Sequence, residues 1–306
     1  MSRREHEATS LVDLAEINEI ELLIMKRLGE RTSGEHRSLH GGSGFDFVGL
    51  RDWTPGDRMG AIDWPQSTLT NFTPLVVREF EERSTARVVA VADASTSMRC
   101  GLDGVPLGGL VARAVATIGL SAVFFQDPVG LVVFDERLDQ LAAVRPRTGK
   151  SQVVHCLEAY TDRRGAETLP AGRGPGATIA GFLRQTSLVA VISDFLFEGA
   201  DDFIRELAFL QGVHDVFLVL IDSAPAFALP PLAAGWVGAR DVETGRTRVL
   251  SRRTVAALPD RVRTWQEGIR RTARDAGLDV VQVGPDRFQA DLALAALVAE
   301  RRGRKV

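Results

Sequence analysis

The sequence predicts an α/β fold: a mostly parallel sheet with helices on both faces, accompanied by a small β module and an N-terminal helix. Three observations carry this. From Arg87 onward, apolar runs of strand length alternate with segments of helical periodicity. The runs are apolar at consecutive positions, so both faces of each strand need cover, as in a parallel sheet between helix layers. Before Arg87, and again at about residues 224–255, turn-rich segments of strand character interrupt that rhythm.

The elements follow in order. Residues 9–30 set Leu11, Leu14, Ile17, Ile20, Leu22, Leu23 and Leu28 among acidic positions at helical spacing, which predicts an amphipathic helix. Residues 30–44 are polar and Gly-rich, with His36 and His40, and read as a loop. Phe45 to Trp53 reads as a strand ending in a tight turn, Thr54-Pro55-Gly56-Asp57, where Pro presets φ and Gly accepts the φ of a type II turn. Pro74 to Phe80 is a second strand. The sheet is expected from Val88–Ala92, Val129–Phe134, Leu188–Ile192, Val216–Ile221 and Val280–Val283. Helices are expected over about 108–125, 150–161, 177–185, 201–212, 256–276 and 288–302. Leu141–Val144, after a turn, reads as an antiparallel edge strand. The Pro-rich residues 224–231 lead to Gly235–Arg240, a turn at Asp241–Gly245, and Arg246–Leu250. That is a hairpin signature, expected to pair with the early strands. Residues 1–84 would then form the helix and strand module, and 85–306 the sheet domain with the hairpin inserted. Arg301–Lys305 reads as a solvated tail.

Composition excludes several classes. A chain of 306 residues with net charge −3 can bury a sizeable core, and its scattered Lys and Arg make no face for nucleic acid. Cys100 and Cys156 have neither metal-ligand spacing nor a disulfide framework, which suits a reducing cytoplasm. The first residues lead into no signal-peptide core. The apolar, uncharged stretch Ala114 to Phe125 falls short of the ~20 residues that span a bilayer. The expectation is a cytoplasmic protein with no membrane span.

The chemistry concentrates at one strand end. Asp93 closes the strand Val88–Ala92, and Ser95 and Ser97 follow at two-residue intervals, so one loop can aim three oxygen groups at a point. One carboxylate with two hydroxyls is a hard-oxygen set suited to Mg²⁺, Mn²⁺ or Ca²⁺ rather than Zn²⁺. Few negative ligands leave the cation electrophilic, so an acidic residue of a partner could complete its shell. Gly172 to Thr178 is a Gly-rich loop opening a helix, with a hydroxyl at Thr178; Thr148 and Thr186 are its alternatives. Leu188–Ser193 is a second buried strand ending in a carboxylate, Asp194. Together these resemble the metal-ion-dependent adhesion site of von Willebrand A domains, a Rossmann-like fold. The resemblance implies Ser95, Ser97 and Thr178 as direct ligands, with Asp93 and Asp194 often acting through water.

Upstream, Gly42 to Trp64 carries Leu50-Arg51-Asp52-Trp53, then Pro55-Gly56-Asp57, then Ile62-Asp63-Trp64; Arg78-Glu79-Phe80 follows. This resembles the signature of the DUF58 family, with Asp46 in place of the usual Glu, Trp53 in place of Tyr, and Gly60 near the usual Arg. The resemblance spans about residues 36–250. It implies a non-enzymatic module that binds protein and works with a MoxR-type AAA+ ATPase in assembly, maturation or remodelling. Relatives often carry N-terminal membrane helices, for which this chain shows no counterpart. Arg51, Asp57 and Asp63 are expected to form one charge-paired network, with Trp64 packed beneath it.

The rival is a Mg²⁺-dependent phosphoester hydrolase using Asp93 as nucleophile. That chemistry wants a second Asp two residues on, where this chain has Ser95. Thr148-Gly149-Lys150-Ser151 is no phosphate loop, because position 144 is Val where such a loop needs Gly.

Overall fold

The computed structural model describes residues 11–35, 45–57, 59–82, 86–102, 105–170, 172–228, 236–240 and 247–302. The chain divides into two compact units: Met1–Glu35 with Ala86–Val306, and His36–Thr85.

Helix α1 (Leu14–Glu35) begins later than periodicity alone suggests, because Asp13 caps it. The Asp13 carboxylate accepts from the Glu16 N–H at 2.7 Å, and Glu16 accepts in return from the Asp13 N–H at 3.2 Å. Its buried face, Ile17, Ile20, Ile24 and Leu28, belongs to the core of the larger unit. That corrects the expected grouping of residues 1–84: the helix goes where its apolar stripe finds cover.

The smaller unit holds β1 (Phe45–Asp52), the short α2 (Trp64–Leu69) and β2 (Val76–Glu82). β1 and β2 pair antiparallel, with a bulge between Phe47 and Gly49. α2 has no apolar periodicity to announce it; Asp63 caps it and Pro65 sits in its first turn. Ile62 and Val77 bridge across the unit, and both are buried.

The larger unit runs β3 (Arg87–Asp93), the two-residue β4 (Gly101–Leu102) and β5 (Val105–Pro106), α3 (Leu107–Phe124), β6 (Val129–Phe134), β7 (Ala142–Arg147), α4 (Lys150–Asp162) and β8 (Glu167–Thr168). It continues with α5 (Pro175–Phe182), β9 (Ser187–Ser193), α6 (Ala200–Phe209), β10 (Asp215–Ile221), β11 (Trp236–Arg240) and β12 (Thr247–Ser251). The last elements are α7 (Arg252–Ala256), α8 (Leu258–Asp275), β13 (Asp279–Val283) and α9 (Arg287–Arg302). Seven strands form one sheet in the order β13-β10-β9-β3-β6-β7-β8. The first five are parallel; β7 runs antiparallel to β6, and the edge strand β8 antiparallel to β7.

Alternation along each strand feeds two cores. Val88, Ala90 and Ala92 join α1, α3, α4 and α9 on one face, and Val89 and Val91 join α5, α6 and α8 on the other. α3 alone among the described helices is long and apolar enough to cross a membrane, and 78% of it is buried within the fold. A buried charge cluster clips three helices together. Arg113 of α3 donates to Asp291 of α9 at 2.7 and 3.0 Å, the Thr117 hydroxyl donates to the same carboxylate at 2.7 Å, and Arg113 and Arg287 both reach Glu16 of α1.

Among the described residues, β11 and β12 form a two-stranded sheet of their own. Thr247, Arg248 and Val249 are all exposed, so this strand has no buried face to fix a further register. Its turn, Asp241–Gly245, lies outside the described residues. Arg301 and Arg302 are not part of a solvated tail. Arg301 is buried, bonded to Asp215 at 2.6 Å and to Asp279, over the ring of Phe217; Arg302 pairs with Asp127 at 2.6 Å over Phe125. Carboxylates, two of them buried, and ring faces supply what solvent would. Residues 303–306 lie outside the described residues.

Candidate metal site

The chain enters the sheet at β3, steps to β6 and β7 on one side, then returns to β9 on the other. Strand order therefore reverses between β3 and β9, and their carboxyl ends are the usual ligand position of an open α/β sheet. Asp93 ends β3, and Ser193 and Asp194 end β9.

Asp93 is fully buried. One carboxylate oxygen accepts from the Ser95 N–H at 2.8 Å, and the other accepts the Ser193 hydroxyl in a short 2.5 Å bond. Its main-chain carbonyl accepts the hydroxyl of Tyr160 at 2.7 Å. The Ser95 and Ser97 hydroxyls lie 2.9 Å apart, with both side chains buried, so the two-residue spacing does make them converge. Glu136, beyond the end of β6, accepts from the Thr96 N–H between those serines. Burial pushes the Asp93 carboxyl above its usual range, against the hydrogen bonds of Ser193 and Ser95, and the charge of Glu136 pushes the same way. Burial, and then the charges of Asp93 and Asp194, hold Tyr160 well above the ordinary phenol value, so it stays a donor.

The β9 side is fixed by its own bonds. Asp194 is fully buried and accepts from the Leu196 N–H at 3.1 Å. Phe195 has φ +55°, a left-handed backbone that a bulky residue adopts only under constraint. Its N–H donates to Ser193 Oγ at 2.7 Å, and its carbonyl accepts the indole N–H of Trp265 at 2.8 Å. The buried Gln266 donates to the carbonyls of Ile221 and Asp194 and to Ser223 Oγ, tying α8 to the ends of β9 and β10.

Thr178 stands differently. Its hydroxyl donates to the Gly174 carbonyl at 3.0 Å and accepts from the Gly172 N–H at 2.9 Å, so its recorded bonds lie inside its own loop. Gly172 is required there, since a Cβ would fall 2.6 Å from that hydroxyl. The N–H of Gly176, at the start of α5, donates to Glu206 at 2.8 Å. No group of three or more His, Cys, Asp or Glu suited to a metal occurs among the described residues, so a cation here would depend on the hydroxyls.

Among the described residues the upstream motif shows two pairs, Arg51 with Asp57 and Asp63 with Arg78. Arg51 holds Asp57 by a two-pronged contact of 2.6 and 2.7 Å, and Thr54 also donates to Asp57, across a turn in which Gly56 has φ +118°. These bonds, Arg51's first, hold the Asp57 carboxyl well below its ordinary 3.8. Asp63 instead accepts Arg78 at 2.6 Å while capping α2, and its carboxyl is lowered by Arg78 and then the Gln66 N–H. Pro55 is exposed in the turn, Ile62 is buried, and Trp64 is 53% exposed rather than packed beneath. Trp64 is the first residue of α2, and Ser67, one turn on, is the buried residue of that helix. His36 and His40 lie outside the described residues.

Sequence reasoning missed Ser193, Tyr160, Glu136 and Gln266. Ser193 stood beside Asp194 in the motif, and Tyr160 is the chain's only tyrosine. Neither signal said what the side chain would touch.

The family described as "Protein of unknown function DUF58" matches residues 49–268. No curated protein matches the chain. Among solved structures, the conserved hypothetical protein BatB from Bacteroides thetaiotaomicron is 17% identical with a TM-score of 0.43, covering 72% of this chain and all of its own. An aerotolerance-related membrane protein from Bacteroides fragilis is 16% identical with a TM-score of 0.42, covering 70% of this chain and 99% of its own. The PilB minor pilin from Streptococcus sanguinis is 11% identical with a TM-score of 0.36, covering 75% and 64%.

Proposed function

The chain belongs to the DUF58 family, and from that premise we propose a non-enzymatic, protein-binding module whose von Willebrand A-like domain holds a divalent cation at the carboxyl ends of β3 and β9. Mg²⁺ is the first candidate, with Mn²⁺ or Ca²⁺ as its equivalents in a hard-oxygen site. One observation carries the reading: a fully buried Asp93 carboxylate precedes two convergent serine hydroxyls on its loop, and no Lys or Arg among the described residues pairs with it. A buried carboxylate without a cationic neighbour is costly, and a bound cation would offset that cost.

Ser95 and Ser97 would be direct ligands. Both Asp93 oxygens already accept hydrogen bonds, which suits a role through water for Asp93, with Asp194 acting similarly. Thr178 would enter only by giving up a loop bond. The cation would supply an electrophilic position for a carboxylate of a partner protein. This chain's residues would orient it: Ser193 and Tyr160 hold Asp93, and Gln266 and Trp265 hold the loop after β9. A MoxR-type AAA+ ATPase as working partner, and a cytoplasmic location, belong to the same proposal; Arg51–Asp57 and Asp63–Arg78 would shape the surface used.

The test is co-purification of the full chain with a MoxR-type ATPase in Mg²⁺ and nucleotide. Capture is expected to vanish in excess chelator and in Asp93→Ala and Ser95→Ala variants that retain native circular dichroism. Unchanged capture under those conditions defeats the reading. Turnover of a phosphoester that requires Asp93 would favour hydrolysis instead.

A further inference from the structure

The amino-terminal edge of the sheet carries a second concavity. Arg87 opens β3 and Ser187 opens β9, and the two are partners in the parallel ladder. Alternation sets both on the face of Val89, Val91 and Val189, the core covered by α5 and α6. Arg145 of β7 lies at the register shift of the β6–β7 ladder. With Arg184, and with Phe182 and Leu183 at the end of α5, they line a cavity of about 310 Å³, large enough for a small molecule.

Charge distinguishes this cavity. Three arginines, Arg87, Arg145 and Arg184, line it. Arg145 is matched by Glu167 at 2.9 Å. The Arg87 and Arg184 side chains have no hydrogen bond or ion pair among the described residues, and Arg87 is half-buried. A cation partly withdrawn from water beside others of its sign is disfavoured until an anion arrives. Two uncompensated guanidinium forks match a doubly charged phosphate, which arginine can bind in two-pronged fashion. The buried Phe182 and Leu183 offer apolar wall to whatever the phosphate is attached to.

We propose that this pocket binds a small phosphate monoester, with Arg87 and Arg184 on the phosphate and Phe182 and Leu183 against its organic part. The site lies at the opposite edge of the sheet from Asp93, so its failure and that of the metal site are separate events.

The experiment is calorimetric titration of the full chain with phenyl phosphate and with inorganic phosphate at about 0.15 M salt. Phenyl phosphate is expected to bind about tenfold tighter or better than inorganic phosphate, because only the ester uses the apolar wall. Arg87→Ala and Arg184→Ala should each weaken binding about 10–100-fold, and Arg87→Lys less, since it keeps the charge but loses the fork. Arg184 is exposed, so its variant keeps the test alive if Arg87→Ala fails to fold. Affinity should also rise between about pH 5 and pH 7.5 as the ester takes its second charge near pH 6. Absence of binding, equal affinity for the two probes, or wild-type affinity in Arg184→Ala overturns the proposal.

Discussion

The Tyr160 hydroxyl donates to the main-chain carbonyl of Asp93 at 2.7 Å, joining α4 to the end of β3 across 67 residues of sequence. Both groups are buried, so the bond fixes the direction in which the Asp93 loop leaves the sheet. Tyr160→Phe deletes the donor and leaves the carbonyl unsatisfied. It should cost about 1–3 kcal/mol in urea unfolding. Mg²⁺ affinity should fall with it, because the loop that aims Ser95 and Ser97 is no longer anchored. Loss of stability with unchanged affinity would make Tyr160 structural only.

Cation binding should be visible as stability. At Mg²⁺ about 100 times the dissociation constant, the wild type should gain about 2.7 kcal/mol. Ser95→Ala should gain much less, and Asp93→Asn, which removes the buried charge the cation offsets, should lose most of the gain. Thermal unfolding with and without chelator reads both.

Acid should act on the Arg51–Asp57 turn with a definite sign. The folded-state carboxyl lies below its ordinary 3.8. Its contribution is therefore present above that value and is lost as pH falls through the folded one. Asp57→Asn should be less stable than wild type at neutral pH, and the gap should close toward about pH 2. A gap that stays constant from pH 7 to about pH 2 would show that the charge is not responsible.

The Arg113–Asp291 pair is a core charge contact, with the two side chains 8% and 2% exposed. Asp291→Ala leaves a buried guanidinium and should cost about 3–5 kcal/mol. Replacing both partners, as Arg113→Met with Asp291→Leu, should cost less than the single change, since no buried charge remains. Chemical denaturation of the three variants decides it.

Much of the fold was legible because its signals are local. The strand Val129–Phe134 matches its expected bounds, and the other parallel strands begin one residue early, since a run apolar on both faces has few alternatives. α2 was not legible: six residues held by Asp63 and Pro65 leave no periodic stripe. Nor was the place of α1, whose apolar stripe says that it needs cover without saying which surface supplies it. Arg301 misled for a related reason. A terminal basic run looks solvated until Asp215 and Phe217 are seen beside it.

At the candidate site the division is sharper. The sequence by itself determined that Asp93 ends a buried strand, that Ser95 and Ser97 share its loop, and that Asp194 ends another strand. Strand periodicity and two-residue spacing act over a few residues, within reach of local reading. Only the tertiary structure decided that Ser193 and Tyr160 grip Asp93, that Thr178 spends its hydroxyl on Gly172 and Gly174, and that Asp63 pairs with Arg78 instead of Arg51. The strand-end groups meet because β9 returns beside β3 some 95 residues later in the chain. Hydrogen-bond partners are chosen by distance and burial once the sheet has formed, and spacing along the chain carries neither.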